Sequence, residues 1–221
     1  MKNYKIYDMS QPTYHNCPAW PTFAYPQVTN EAVCGNDGFT AERLNINVHT
    51  GTHLDAPYHF CIGGKTIDEI TLDKFVGEAV IVELEGIINA KEGIAVEHLS
   101  AYEDLIGEDS IVLLHTGWDK KRSFSPEYYK DWPYVSRELA EWFVEKKVKG
   151  VGIDGFSVGG WYEGTGVPAH EVLLSNEIWA LEELNFPEEL LEHMTCILSA
   201  VPLKLKGLSG SPTRAYAIIE E

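Results

Sequence analysis

The segment His49–His59, with the sequence HTGTHLDAPYH, constrains this chain more than any other, because it holds three of the eight histidines and an aspartate. Just before it, apolar residues at 44, 46 and 48 alternate with asparagines at 45 and 47, the two-residue period of a half-buried strand. If that strand continues, His49, His53 and Asp55 project from one face, since successive side chains point to opposite sides. The segment therefore predicts a strand with polar donors on one side.

Two imidazoles and a carboxylate on one face match the ligand set of zinc or manganese. The same spacing would place His49 and His53 one turn apart on a helix, but residues 50–52 are poor helix formers and Pro57 ends a helix. Pro57 also bends the chain, so His59 can stand beside a metal as a proton donor or acceptor instead of a ligand. The alternative is a polar strand whose histidines are structural.

This segment resembles the HxGTHxDxPxH motif of the cyclase family, which includes bacterial kynurenine formamidases and isatin hydrolases. The resemblance implies a metal-dependent hydrolase in which His49, His53 and Asp55 bind metal and His59 is the catalytic acid/base. It also implies an α/β fold with a mixed β-sheet and β/β/α layering. The sequence predicts many strands and few helices, which disfavours a doubly wound parallel sheet.

A second segment, GVPAHEVLLSNEIWALEEL, resembles another motif of this family, in which a histidine and a glutamate twelve residues later complete the metal centre. His170 and Glu182 match that spacing and are expected to bind metal, with Asp55 as a possible bridge. Glu171 and Glu183 are competing neighbours. The resemblance implies one or two divalent ions per chain, with Zn²⁺ expected and Mn²⁺ as the alternative.

The N-terminal part predicts a strand over residues 4–9 and then an irregular stretch, rich in prolines and aromatics, that reaches Asn36. Its segment DMSQPTYHNCPAWP resembles the family's opening, where an aromatic residue helps to enclose the substrate. Trp20 is therefore a candidate substrate-binding residue, and plain packing is its alternative role. The apolar surface of this stretch, together with the resemblance, predicts a homodimer or a higher homo-oligomer.

Further along, the pattern predicts strands over 79–84, 110–114, 151–154 and 178–181, and helices over 96–106, 136–148 and 168–176. At the C-terminus it predicts two strands joined by a turn of glycine, serine and proline. Residues 157–160 depart from the family pattern, which has an aspartate there. Four residues have undetermined roles. A structural role is favoured for His115 and a buried position for Cys61. Ser211 and Arg214 are candidates to reach the site, and anchoring of the turn by hydrogen bonds is an equal alternative for Arg214.

Composition narrows the function further. The chain has 221 residues, enough for one domain spanning 1–221, and its net charge of −17 argues against nucleic acid or an anionic membrane as partner. The four cysteines form no CxxC pair and fit a reduced compartment. The N-terminus has no apolar signal region, and the chain has no apolar run of about 18 residues. A cytoplasmic enzyme is expected.

No Gly-x-Ser-x-Gly motif is present and no cysteine has a persuasive histidine partner, so water is the expected nucleophile. The expected reaction is hydrolysis of an amide C–N bond in a small aromatic substrate such as N-formylkynurenine. One alternative is hydrolysis of a cyclic amide or lactone, as in isatin hydrolases. Another is a metal- or ligand-binding protein without turnover.

Overall fold

The computed structural model describes residues 3–220, which form thirteen strands and three α-helices. The strands are β1 (Tyr4–Asp8), β2 (Gln27–Ala32), β3 (Ala41–Asn45), β4 (His53–Asp55), β5 (Val76–Glu83), β6 (Gly93–Ile94), β7 (Ile111–His115), β8 (Tyr134–Val135), β9 (Gly150–Ile153), β10 (Trp179–Glu182), β11 (Thr195–Ser199), β12 (Gly210–Pro212) and β13 (Tyr216–Glu220). The α-helices are α1 (Cys34–Asp37), α2 (Arg137–Lys146) and α3 (Val167–Ser175). Short 3₁₀ helices cover Pro57–His59, Ile67–Glu69, Leu72–Phe75, Val96–Leu105, Asp119–Lys121 and Glu188–Glu192.

One nine-stranded sheet carries the fold, in the order β1-β13-β11-β5-β7-β9-β10-β4-β12. Its centre, from β5 through β7 and β9 to β10, is parallel, whereas the flanking strands on both sides are antiparallel. The sheet is therefore mixed, as predicted. A parallel centre gathers the carboxyl ends of four strands at one edge, where open α/β sheets place their ligand sites.

The two faces of the sheet bury separate cores. On one face, α2 and α3 pack with Leu139, Phe143 and Leu173 against Val112 and other strand residues. On the opposite face, side chains from strands at both ends of the sheet meet one another, because the sheet curls around them. One layer of helices and two facing layers of strands confirm the predicted α/β class with β/β/α layering.

Helix α2, which precedes the parallel strand β9, begins where the sequence predicts it. The Ser136 hydroxyl accepts a hydrogen bond from the Leu139 amide at 3.1 Å, which caps α2 at its N-terminus as predicted. The helix ends at Lys146 instead of Val148, because Lys147 adopts a left-handed conformation with φ of 57°.

Three predictions about the elements are wrong. The strand before the histidine motif ends at Asn45, and the chain bends through residues 46–52, with Gly51 at a φ of +65°. The stretch predicted to be irregular up to Asn36 contains β2, which pairs with β3 in a hairpin of mostly exposed residues. The C-terminal turn is itself a strand, because β12 pairs with β4. The conformation of these segments therefore depends on contacts with distant strands, which the local sequence pattern does not indicate.

Within residues 3–220, no helix is long and apolar enough to cross a bilayer.

Candidate metal and active site

Strand β4 lies between β10 and β12 and presents the middle of the histidine motif. His53 and Asp55 point to one face, while Leu54 between them is buried in the opposite core. In the antiparallel pairing with β10, Glu182 lies directly opposite His53. Because directly opposed residues of antiparallel strands share a face, this register places the second motif's glutamate beside the first motif's histidine.

His53, Asp55 and Glu182 form a buried triad of donors. The His53 Nε2 atom lies 3.4 Å from Asp55 Oδ1 and 3.4 Å from Glu182 Oε2. The His53 Nδ1–H donates to the Gly51 carbonyl oxygen at 2.7 Å, which leaves Nε2 to face the two carboxylates. Among the described residues, His53 Nε2 and Asp55 Oδ2 have no hydrogen-bond partner. Buried polar atoms of this kind normally have one.

His170 completes the cluster from the fourth position of α3. Its Nδ1–H donates to the Gly166 carbonyl oxygen at 2.7 Å, and its Nε2 faces Glu182 Oε1 at 3.3 Å and Asp55 Oδ2 at 3.7 Å. Ser157 Oγ and the Val158 amide each donate to Glu182 Oε1 at 2.8 Å. Ser157 and Val158 therefore hold the Glu182 carboxylate in place.

His49 reaches the same cluster from the bent segment before β4. Its Nδ1–H donates to Asp55 Oδ1 at 2.7 Å, and its Nε2 lies 2.9 Å from Ser209 Oγ. Gly210 makes room for this ring, since a Cβ atom there would come within 2.7 Å of His49 Cε1. His49 thus joins Asp55 without sharing a strand face with it, in contrast to the prediction.

His59 stands beside the cluster, on the 3₁₀ helix that Pro57 begins immediately after β4. Its ring stacks on the His49 ring at 3.9 Å between centroids, and its Nε2 lies 4.0 Å from Asp55 Oδ2. The His59 side chain is 28% exposed, compared with 3% for His53. His59 is therefore the histidine of the motif that faces the cavity most openly.

The electrostatics separate these groups. Burial disfavours the charged carboxylates, but hydrogen bonds with His49 and His53 hold the pKa of Asp55 well below its ordinary value. Burial and the Asp55 charge oppose ionisation of Glu182 in the same way, yet His170 and His53 lower its pKa to about 2. Burial lowers the pKa of His59 to about 4. At neutral pH both carboxylates are therefore ionised, and the His59 ring is neutral.

A cavity of about 230 Å³ opens over the cluster. Its walls are partly aromatic, from Trp20, Phe23, Phe60 and Phe156, and partly polar, from His49, His53, His59, Ser157, His170 and Glu182. The Trp20 ring packs against Trp161 at 5.4 Å between centroids and against Trp132 at 5.9 Å. A small cavity with an apolar wall opposite a few polar groups is typical of a small-molecule site.

The structure brings together all seven residues proposed from the sequence. The competing glutamates and the residues whose roles the sequence left undetermined lie elsewhere. Glu171 is exposed, and Glu183 is buried on the other side of the strand end, where it accepts a hydrogen bond from the Tyr128 hydroxyl at 3.3 Å. Arg214 forms an ion pair with Asp8 on the surface. Neither competing glutamate lies in the cluster.

The other undetermined residues also lie outside the cavity wall. Ser211 is buried and accepts a hydrogen bond from the Leu203 amide, and Cys61 is half-buried. Sequence reasoning missed Phe60, Phe156 and Ser209. Phe60 follows the motif directly and its ring stacks on His170 at 4.2 Å, so its position was a usable signal; the others depend on tertiary placement.

The donor set fits a divalent cation. The unpartnered His53 Nε2 atom lies close to the carboxylates of Asp55 and Glu182. The unpartnered Asp55 Oδ2 atom lies close to His170 Nε2, and all four side chains are buried. For both His53 and His170, the Nδ1–H is anchored on a backbone carbonyl, an arrangement that orients metal-ligating histidines. His49 fits less directly, because both its ring nitrogens already have partners.

Comparison with known proteins shows the family of this chain. The model of the Cyclase family, described as "Putative cyclase", matches residues 7–159. The chain belongs to the cyclase family. It is 32% identical to a kynurenine formamidase of Geobacillus thermodenitrificans, over 94% of this chain and 94% of that protein.

Solved structures share the fold along nearly the whole chain. A protein described as a potential metal-dependent hydrolase with cyclase activity superposes with a TM-score of 0.82 at 27% identity, covering 99% of this chain and 100% of that one. Isatin hydrolase A from Labrenzia aggregata, bound to benzyl benzoate, gives a TM-score of 0.87 at 24% identity, covering 99% and 94%. At that identity the second likeness concerns the fold alone.

Proposed function

We propose that this protein is a metal-dependent hydrolase that cleaves the amide C–N bond of a small aromatic substrate. The observation that carries the proposal is the ring of histidine and carboxylate donors around Asp55 at the floor of a cavity with aromatic walls. Membership of the cyclase family and the likeness to a kynurenine formamidase support the same reaction class.

The proposed ligands are His49, His53, Asp55, His170 and Glu182, which would hold one or two ions per chain. Nitrogen and carboxylate donors suit zinc, and manganese is the alternative. When bound, such a cation acidifies water and polarises a carbonyl oxygen. To act as a ligand, His49 would give up one of its two hydrogen bonds, either the one to Asp55 or the one to Ser209.

His59 is the proposed acid/base. Its pKa of about 4 keeps the ring neutral at pH 7, so that it can accept a proton from the attacking water. Asp55, whose Oδ2 atom lies 4.0 Å away, favours the imidazolium that results. His59 can then return this proton to the leaving nitrogen, for which its position on the cavity wall provides access.

The proposed substrate is an aryl formamide such as N-formylkynurenine. Trp20 and Phe60 are placed to contact its ring, since both line the cavity and neither belongs to the donor set. A cyclic amide or a lactone, as in isatin hydrolysis, is the second candidate, because the same donors would serve it. A binding protein without turnover leaves the cavity-facing His59 without a role.

A substrate panel tests this proposal. Metal-loaded protein should hydrolyse aryl formamides faster than aliphatic formamides, cyclic amides or lactones, and a chelator should abolish the activity. Faster hydrolysis of isatin or lactones would replace the aryl formamide with the second candidate. Metal binding without hydrolysis of any compound of the panel would contradict the proposed enzymatic function.

We propose further that the chain forms a homodimer or a higher homo-oligomer in the cytoplasm. The β2–β3 hairpin supports assembly, because Phe39 beside it is 61% exposed and Leu44 on it is 53% exposed. An isolated two-stranded hairpin is marginally stable in water, so a partner surface is expected to cover it. Light scattering should give at least twice the chain mass of 24.8 kDa; a mass near 25 kDa at micromolar concentration would contradict assembly.

The four cysteines are free, which suits the reducing conditions of the cytoplasm.

A further inference from the structure

A second group of histidine and carboxylate side chains lies where three parallel strands end. Glu83 ends β5 and is paired in register with His115, which ends β7, and Asp154 directly follows β9. Asp119 reaches the same place from the 3₁₀ helix Asp119–Lys121. We call His115, Asp119 and Asp154 the His115 cluster. None of its members lines the cavity described above.

The imidazole of His115 is fully buried and only half satisfied. Its Nδ1–H donates to both carboxylate oxygens of Glu83, at 2.9 and 2.8 Å. Its Nε2 atom has no hydrogen-bond partner among residues 3–220. The Asp119 Oδ1 atom lies 3.7 Å from it, which is too long for a hydrogen bond. A buried ring nitrogen therefore points at a carboxylate without contacting it.

The cluster also carries more negative charge than its surroundings neutralise. The exposed fractions of Asp119 and Asp154 are 6% and 1%. Within the described part of the chain, neither carboxylate forms an ion pair with a lysine or arginine. Neutral donors surround both carboxylates instead: the Thr116 and Trp118 amides and the Thr116 hydroxyl donate to Asp154, and the Lys120 and Phe186 amides donate to Asp119. Buried charges in proteins are normally paired or bound to metal.

The titration behaviour points the same way. Burial opposes a charged His115, but the carboxylates around it raise its pKa to about 9. Burial raises the pKa of Asp154 to about 6. In the metal-free protein, a proton on His115 therefore supplies the positive charge that this cluster otherwise lacks.

We propose that His115 Nε2, Asp119 and Asp154 bind a divalent cation of the manganese or zinc class, at a site separate from the Asp55 centre. One ligand atom from each residue lies within 4.8 Å of the other two. Glu83 fixes the His115 tautomer from the far side of the ring, the carboxylate–histidine–metal arrangement found at many metal sites. One imidazole and two carboxylates suit either metal.

The role of this ion is structural. It joins the ends of β7 and β9 to the Asp119 helix, and Asp119 Oδ2 holds the Phe186 amide at 2.8 Å, four residues after Glu182. Binding releases the proton from His115, since only the neutral imidazole is a ligand. The proposal does not depend on the function assigned to the Asp55 centre.

Anomalous diffraction from wild-type crystals grown with Mn²⁺ tests this site without any substitution. The expected result is an anomalous peak between His115 Nε2 and the Asp119 and Asp154 carboxylates, in addition to any peak at Asp55. A peak at Asp55 alone, at millimolar Mn²⁺, would overturn the proposal. A peak at the His115 cluster alone would support it and would count against the Asp55 centre.

Metal content of variants gives the second test. Asp119→Asn keeps an oxygen for the Phe186 amide but loses the anionic ligand, so after Mn²⁺ loading and gel filtration it should retain about one ion per chain fewer than the wild type. Glu127→Gln is the matched control, because Glu127 is an exposed carboxylate that pairs with Lys121 of the same 3₁₀ helix and belongs to neither candidate metal site. Equal metal content in the folded Asp119→Asn variant and the wild type would contradict the site. Circular dichroism tests whether the variant is folded. If it is not, anomalous diffraction from the wild-type crystals is the deciding experiment.

Discussion

The Asp55 centre and the His115 cluster use the same donor chemistry at the same edge of the sheet, but only one of them is open. Glu182 ends β10 and His115 ends β7, and both strands belong to the parallel centre. A cavity of about 230 Å³ with aromatic walls lies over the Asp55 centre. The His115 ring is fully buried and contacts Phe186 at 4.9 Å between centroids.

In our two proposals, access and not ligand type distinguishes the reaction site from the structural site. The Asp55 centre has His59, the proposed proton carrier, beside it at the cavity, with 28% of its side chain exposed. The His115 cluster has Glu83 in the equivalent outer position, but there Glu83 already holds the ring nitrogen. A substrate can reach the first centre and not the second.

The largest expected effect comes from replacing one carboxylate in each centre and comparing the two variants. Asp55→Asn should lose metal from the Asp55 centre and reduce hydrolysis to background, because the Asp55 carboxylate lies within 4.0 Å of four histidines there. Asp119→Asn should leave kcat nearly unchanged and lower the thermal midpoint instead. Metal analysis, steady-state kinetics and thermal melting measure these effects.

Glu171→Gln is the control for this pair of variants, since Glu171 is exposed beside His170 and should change neither quantity. An Asp55→Asn enzyme with wild-type kcat would remove the distinction between the centres.

A smaller effect concerns how stability depends on pH. The pKa of His115 is about 9 in the folded metal-free protein and near 6.5 when unfolded, so protonation stabilises the fold fully below pH 6.5. That stabilisation, on the order of 3 kcal/mol, is lost as the pH rises through 9. Urea unfolding of chelator-treated protein at pH 6.5 and 9.5 should show this loss in the wild type and not in His115→Gln.

The exposed His15 offers a matched substitution, and His15→Gln should keep the wild-type pH dependence. Parallel stability curves for the wild type and His115→Gln would mean that the buried ring does not titrate in this window.

The smallest effect tests the aromatic wall that only the open centre has. Trp20→Ala should lower kcat/KM about tenfold, mainly through KM, because it removes an aromatic contact worth roughly 1.4 kcal/mol. Metal content should not change, because the Trp20 ring packs on Trp132, Phe156 and Trp161, none of which is a proposed ligand. Tyr14→Ala, an exposed residue of the same N-terminal stretch, is the control. Loss of metal from Trp20→Ala would indicate a structural role instead.

Much of this architecture could be predicted because its signals are local. Buried strands such as β7 and β9 are short apolar runs, and Ser136 caps α2 as its position before the apolar pattern indicates. The grouping of His53, Asp55, His170 and Glu182 followed from two motifs with defined spacing, and the β4–β10 register brings those motifs together.

The rest depends on contacts between distant segments. His49 was expected on the face of a continuous strand, but it reaches Asp55 from a bend, because Gly51 takes a left-handed conformation and Gly210 leaves space for the ring. The β2–β3 hairpin lies in a stretch whose prolines indicated irregular structure. His115 gave no signal beyond its position at a strand end, since its partners Asp119 and Asp154 converge only in the folded chain.

The most direct test of the open centre is the His59→Ala variant, measured for both metal content and kcat with the best substrate of the panel. If His59 transfers protons and the other donors hold the metal, the variant keeps the wild-type metal content and loses about 10²–10⁴-fold in kcat. His53→Ala, measured in parallel, loses metal and activity together. A His59→Ala protein that has lost its metal, or that turns over at the wild-type rate, would contradict the account.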